Sequence, residues 1–328
     1  MRYAVVDADV ISEAVGLACR APSLHNSQPW RFIVEGDAVH LFLDADRAPR
    51  HTDTTGREAL FSCGAVLDHL RVAMAAAGWR AHVERFPNPN NPDHLASLSF
   101  SPMEFVTEGH RRRAEAIAVR RTDRLPFAAP PDWEAFLQRL GATLDSVWTR
   151  VDVIADRLRP QLAEASRMTR SLRLYDSPYH AEIVGWTTDV GITEGIPKSA
   201  LISAAETDRV EIGRADFPKV AGEDRRADIG TDHAKVLVLS TYDDTREAML
   251  RCGEQLSAAL LDATMAGLAT CTLTHITEVP ESREIVTTLL DAHATPQVLI
   301  RVGQAPGTDD SAPPTPRRPV DEVLEFSD

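Results

Sequence analysis

The sequence predicts an α+β fold whose basic unit occurs twice in one chain, and three observations predict it. The block Arg57-Glu58-Ala59-Leu60-Phe61-Ser62-Cys63-Gly64 returns as Arg246-Glu247-Ala248-Met249-Leu250-Arg251-Cys252-Gly253. The offset of 189 positions holds without a gap to Ala77-Gly78 and Ala266-Gly267, and 8 of the 22 aligned positions are identical. Each copy also lies between strand-like runs. Val39-His40-Leu41-Phe42-Leu43 and Val236-Leu237-Val238-Leu239 precede; Leu95-Ala96-Ser97-Leu98-Ser99-Phe100 and Gln297-Val298-Leu299-Ile300-Arg301-Val302 follow. Finally, 328 residues suffice for two ordinary domains or one large one. Chance accounts poorly for a block and its surroundings recurring together.

Along the chain, residues 10–18 place Ile11, Ala14, Val15 and Ala18 at helical spacing. Then comes Ala21-Pro22-Ser23-Leu24-His25-Asn26-Ser27-Gln28-Pro29-Trp30, followed by the extended run Arg31-Phe32-Ile33-Val34. Pro22 keeps Ala21, and Pro29 keeps Gln28, out of the helical region. Ser23, His25, Asn26, Ser27 and Gln28 are thereby displayed on a rigid loop that can donate and accept hydrogen bonds. Such a loop suits a planar heterocycle with carbonyl and ring-nitrogen acceptors. It equally suits a well-capped turn that binds nothing. The repeated blocks, residues 57–78 and 246–267, read as long apolar helices ending at a glycine C-cap. Helices apolar on nearly every side are buried on both faces. In a duplicated and fused unit the two would pack on each other about a pseudo-two-fold axis, as in a symmetric dimer.

Residues 110–119 read as a helix that runs into Arg120-Arg121-Thr122-Asp123-Arg124-Leu125-Pro126-Phe127. Guanidinium forks there suit a phosphate through paired, charge-assisted hydrogen bonds. A solvated basic helix end, favoured by its dipole, is the plainer alternative. Residues 160–232 have no counterpart in the first half, and Gly191, Gly195 and Pro197 would permit a lid-like loop there. Residues 305–319 are proline-rich, ending Pro313-Pro314-Thr315-Pro316-Arg317-Arg318-Pro319, and predict an extended tail without regular structure. The halves divide at residues 1–108 and 109–328.

Composition narrows the function classes. The chain is 43% hydrophobic and 26% charged, the balance of a soluble globular protein. Its net charge of -14 disfavours nucleic acid and anionic membranes as partners, and makes any bound phosphate depend on clustered arginines. The apolar runs read as too short to span a bilayer. Residues 1–18 do not read as a signal peptide, so cytoplasm is the expected location. Cys19, Cys63, Cys252 and Cys271 lack Cys-x-x-Cys spacing, and the 11 histidines form no ligand run, so neither a disulfide framework nor a metal site is expected. No Gly-x-Gly-x-x-Gly run or Gly-x-Ser-x-Gly elbow is present, which argues against a Rossmann dehydrogenase and a serine hydrolase.

Pro22-Ser23-Leu24-His25-Asn26 within its loop resembles the signature loop of the flavin-dependent nitroreductase family. Arg120, Thr122 and Arg124 resemble that family's Arg-Arg-Ser-x-Arg-x-Phe segment, with Thr122 in the place of serine and Phe127 one place late. Over essentially its full length the chain resembles the Acg-like, actinobacterial branch of that superfamily, in which a nitroreductase dimer is fused into one polypeptide.

The resemblance implies a nitroreductase-like α+β fold with largely antiparallel sheets and long central helices. It implies FMN, with the ring against Pro22, Ser23, Leu24, His25 and Asn26, and the phosphate and ribityl chain held by Arg120, Thr122 and Arg124. The tail implies Arg317, then Arg318, as further phosphate ligands. His25 would stack or hydrogen-bond near the ring, or serve structurally. The first half has no Arg-Arg-Thr-x-Arg run and the second no Pro-Ser-x-His-Asn, so one FMN per chain is expected.

The implied activity is electron transfer from NADH or NADPH through FMN to a nitro, quinone or similar acceptor, by a monomer acting as a fused dimer. No catalytic side chain is required beyond the cofactor. The rival reading is a flavin-sequestering, storage or redox-sensing protein.

Overall fold

The computed structural model describes residues 5–188, 193–214, 216–222, 224–290, 294–306 and 314–327. The first half begins with α1 (Ala8–Ala18), whose first turn is capped by the Asp7 carboxylate accepting from the Asp9 N–H at 2.9 Å. Strands β1 (Trp30–Glu35) and β2 (Ala38–Leu43) form a hairpin about Gly36, at φ +61°. The long helix α2 (Arg57–Ala76), β3 (Trp79–Arg85) and β4 (His94–Pro102) complete this unit.

Helix α3 (Glu108–Val119) links it to the second unit: α4 (Trp133–Thr143), β5 (Thr149–Ile154), α5 (Arg159–Leu172), α6 (Ser177–Trp186), α7 (Ala204–Asp208) and β6 (Lys235–Thr241). The long helix α8 (Arg246–Met265), β7 (Ala269–Leu273), α9 (Pro280–Leu290), β8 (Thr295–Gly303) and the terminal β9 (Leu324–Ser327) follow.

Strand order is β3-β4-β2-β1-β9 in one sheet and β7-β8-β6-β5 in the other. Exchanging β1 to β4 for β5 to β8 converts the first four positions of one into the other, so the duplication extends from sequence to topology. All these pairs are antiparallel except β1 with β9, which run parallel. The predicted insertion is visible as a difference between equivalent connections. A hairpin joins β1 to β2, whereas residues 155–234, with α5 to α7, join β5 to β6. Strands β3, β5, β7 and β9 were not among the predicted runs; three carry mixed residues and the fourth has four.

The repeated helices cross at repeated glycines. A Cβ on Gly64 would lie 2.0 Å from the Leu250 carbonyl oxygen, and one on Gly253 would lie 2.2 Å from that of Phe61. Gly253 and Leu250 are the repeat counterparts of Gly64 and Phe61, so the contact is reciprocal, as a two-fold axis requires. At the same axis Ser257 Oγ donates to Oδ2 of its own counterpart, Asp68, at 2.6 Å. Both helices end as predicted, with Gly78 and Gly267 at φ +89° and +73°.

One expectation is corrected. Helix α2 is long and apolar enough to cross a bilayer by length and composition, but 78% of that window is buried inside the protein. Its apolar surface packs on α8 and the first sheet, while α8 packs on the second, forming one core that spans the halves. A second core lies between the outer face of β6 and β8 and helices α5 and α9. Strand β6 is therefore covered on both sides, which explains its unbroken Val-Leu-Val-Leu run.

Candidate functional site

A cleft opens where the halves meet. The first half supplies Pro22, Ser23, Leu24 and His25 from the turn after α1, with Glu58, Phe61 and Ser62 from α2. The second supplies Thr122 and Arg124, Leu256 of α8, and Cys271 to His275 at the end of β7. Ile196, Leu201, Ile202, Val210, Arg214 and Phe217 of the insertion form its roof. Gly195 takes φ +78° and the Ile196 N–H bonds the Trp186 carbonyl at 2.7 Å, folding this stretch back on α6. Gly191 lies outside the described residues.

The loop at residues 23–28 is set by unusual backbone. His25, Asn26 and Gln28 have φ of +51°, +60° and +51°, a region costly for residues with a Cβ and held only by surrounding contacts. Those contacts are explicit. Ser23 Oγ accepts from the Gln28 N–H at 3.0 Å, and Ser62 Oγ accepts from the Leu24 N–H at 3.2 Å. Asn26 Nδ2 donates to the carbonyls of Gly195 and Pro316, both at 3.0 Å. Gln28 Nε2 donates to the Thr193 carbonyl at 2.8 Å, while its Oε1 accepts from the Arg318 N–H at 2.9 Å. The amides of Asn26 and Gln28 thus tie roof and tail to the loop. An ion pair between Arg47 and Glu194 adds a second tie to the roof.

Pro22, Ser23, Leu24, His25, Thr122 and Arg124 meet in the cleft; Asn26, Arg120, Arg317 and Arg318 do not line it. His25 is buried, hydrogen-bonds with Thr52 Oγ1 at 3.3 Å, and meets the Phe217 ring edge-on at 5.8 Å. Burial, then the charges of Arg214 and Arg124, hold its imidazole well below the usual range, so it is neutral. Arg124 stacks over Phe217 from the cleft side, 5.3 Å from the ring centre.

Behind Pro22, Arg20, Arg120 and Arg317 gather, and among the described residues no carboxylate pairs with any of them. Arg317 spends Nε on the Cys19 carbonyl (2.9 Å), Nη2 on those of Arg20 and Ala21 (3.1 and 3.3 Å), and Nη1 on those of Thr315 and Pro316 (3.1 and 2.9 Å). Arg120 is buried, and its Nε and Nη1, with Arg20 Nε, have no partner among the described residues. Burial and the Arg20 charge push Arg120 down to about 10; burial, Arg120 and Arg20 push Arg317 down to about 9. Three crowded cations, two of them with orphaned donors, in a chain of net charge -14, are suited to an anion. Arg318 lies apart, donating through Nη2 to the Glu322 carbonyl at 2.8 Å.

Sequence reasoning missed Glu58, Arg214, Phe217 and His275 on the cleft wall. Glu58 lay inside the repeated block, where its identity with Glu247 signalled only duplication. Arg214 ties the roof to the floor, donating to the Tyr179 hydroxyl at 3.0 Å and pairing with Glu278.

A duplicated unit with crossed central helices and a cleft composed from both halves is the nitroreductase-like α+β arrangement. No family model matches the chain. A Mycobacterium tuberculosis protein named "Putative NAD(P)H nitroreductase acg" is 65% identical over 320 residues, covering 98% of this chain and 96% of its own. A second protein of that organism, carrying the same family name without the acg label, is 36% identical over 329 residues, covering 98% and 92%. Among solved structures, the FMN-dependent nitroreductase NfnB from Mycobacterium smegmatis, in complex with NADPH, aligns over 67% of this chain and 100% of its own. Its identity is 18% and the TM-score 0.42. The chain belongs to the nitroreductase superfamily, in its Acg-like branch.

Proposed function

We propose that the chain is an FMN-dependent oxidoreductase of the nitroreductase type, taking electrons from NADH or NADPH and passing them to a nitro, quinone or similar acceptor. The observation that carries this reading is the juxtaposition of an aromatic- and aliphatic-walled cleft with the anion socket directly behind Pro22. Those features match a flat ring bearing a phosphate. The relatives' names agree.

Bound there, FMN would supply the two-electron chemistry. The residues would do the rest. The free nitrogens of Arg120, supported by Arg20 and Arg317, hold the phosphate. Thr122 and Arg124 face the ribityl chain and ring, and Arg124 offsets negative charge that develops beside it. Pro22, Ser23, Leu24 and His25 bound the ring. Asn26 and Arg318, engaged with backbone, hold the loop, roof and tail in place.

In this reading the halves divide near residue 108, and the monomer carries a whole dimer with one FMN. The roof favours a second reading, sequestration of flavin, because Asn26, Gln28 and Arg47 each fasten it down. The visible spectrum of the purified chain, before and after anaerobic NADPH, decides. We expect a flavin band that bleaches. A band that resists NADPH but yields to dithionite supports sequestration, and no band refutes both. In Arg120→Ala/Arg317→Ala we expect loss of bound flavin; full retention would refute the phosphate assignment.

A further inference from the structure

Among the described residues, Glu58 is the one that lines both the cleft and a second recess on the outer side of its wall. That recess is bounded by Asp53, Arg57, Asp244, Glu278 and Arg283, and it reaches solvent, since the Asp244 side chain is 51% exposed. Glu58 itself is 2% exposed, and neither carboxyl oxygen has a hydrogen-bond partner among the described residues. Arg57 Nη2 stands 3.9 Å from Oε1, but its donors are spent on Gln297 Oε1 and on Thr277. Thr274 Oγ1, beside it, donates to Glu278 at 3.2 Å.

Burying a carboxyl without a hydrogen bond is costly. The fold does not demand it here: the repeat counterpart, Glu247, lies on the surface, where Arg251 pairs with it at 2.8 Å. A carboxyl kept buried, held by no hydrogen bond and only one long charge contact, between two compartments, is suited to carrying a proton between them.

We propose that Glu58 is a proton carrier, passing protons from the outer recess to an acceptor bound in the cleft. This rests on the oxidoreductase reading above, and the acceptor class it fits is a quinone. With the cofactor bound, a nicotinamide donor would provide two electrons and one proton for the quinone. Glu58 supplies the second proton: its carboxyl O–H breaks, an O–H forms on the quinone oxygen, and the carboxylate takes a proton from water in the recess. The sum is NAD(P)H, quinone and H⁺ giving NAD(P)⁺ and hydroquinone. The charged groups facing Glu58 set its range. Burial, and secondarily Asp53, push its carboxyl up to about 7, against the opposing pull of Arg57, Arg214 and the Thr274 hydroxyl.

Two measurements test this, on the protein as purified. Infrared difference titration from about pH 5 to about pH 9 needs no turnover. We expect a protonated-carboxyl band that disappears through about 7 in the wild type and is missing in Glu58→Gln. Anaerobic reoxidation of the dithionite-reduced protein by a naphthoquinone gives the kinetics. We expect the wild-type rate to fall as pH rises through the same range and to show a solvent isotope effect. Glu58→Gln should retain its flavin band, react about 10²-fold more slowly, and lose both dependences. A wild type without the titrating band, or a Glu58→Gln protein with the wild-type rate and pH profile, would overturn the proposal. A chain without flavin would sink the oxidoreductase reading, and the proton-carrier role with it, even if the band still titrates.

Discussion

Asn26 shows how a side chain's type and its employment can part company. Its position in the loop motif points toward a flat ligand, yet its amide nitrogen holds the carbonyls of Gly195 and Pro316, far away in sequence. Arg317 is similar, meeting five carbonyls rather than presenting a free fork. In both cases residue chemistry was legible and partner choice was not, because the partners arrive only with the roof and tail. Glu58 yields a prediction at this scale. Its carboxyl ionises near 4.5 in an unfolded chain and near 7 in the native one, because burial disfavours the charge. The native state therefore binds the proton more tightly. The stability this confers is complete below the unfolded value and is lost as pH rises through the folded one. Wild-type melting temperature should fall across this range more steeply than that of Glu58→Gln; parallel profiles would contradict the assignment.

Among the elements, the two long helices were the most legible, since apolar residues on every side and a terminal glycine mark a buried helix with a left-handed cap. Their crossing was not visible as such, although the recurrence of glycine at Gly64 and Gly253 encoded it. Alanine at either position places a methyl against a backbone carbonyl, and we expect a loss of about 1–3 kcal/mol or more in chemical denaturation. Gly141 is the control: it lies exposed in α4, where an added Cβ would meet nothing within 4 Å, so Gly141→Ala should gain about 0.5–1 kcal/mol. Equal responses at the two sites would refute the close-crossing argument. Strand β9 escaped the sequence for the opposite reason. Leu-Glu-Phe-Ser carries no strong pattern of its own, and it becomes a strand only because β1 offers an open edge.

For the molecule as a whole, matching strand orders, reciprocal glycine contacts and the Asp68–Ser257 pair on the axis are consistent with a duplicated and fused unit. Fusion lets the halves diverge. The cleft has the Pro22 loop on one side and Thr122 and Arg124 on the other, whereas the counterparts of Glu58 and Arg57 are surface ion-pair partners, Glu247 with Arg251 and Arg246 with Asp93. Light scattering on a sizing column, with flavin absorbance against protein mass, should give a monomer with one flavin. A dimer or two flavins per chain would count against the fused, single-site reading.

By itself the sequence determined the duplication, the buried central helices, the insertion between the equivalent strands and the residue types at the site. These follow from local patterning and self-comparison, which need no knowledge of what lies opposite. The tertiary structure alone decided which donors remain free, which carboxyl is buried without a hydrogen bond, and where β9 docks. Burial and hydrogen-bond pairing are set by neighbours hundreds of residues apart, and those neighbours exist only once the chain has closed on itself.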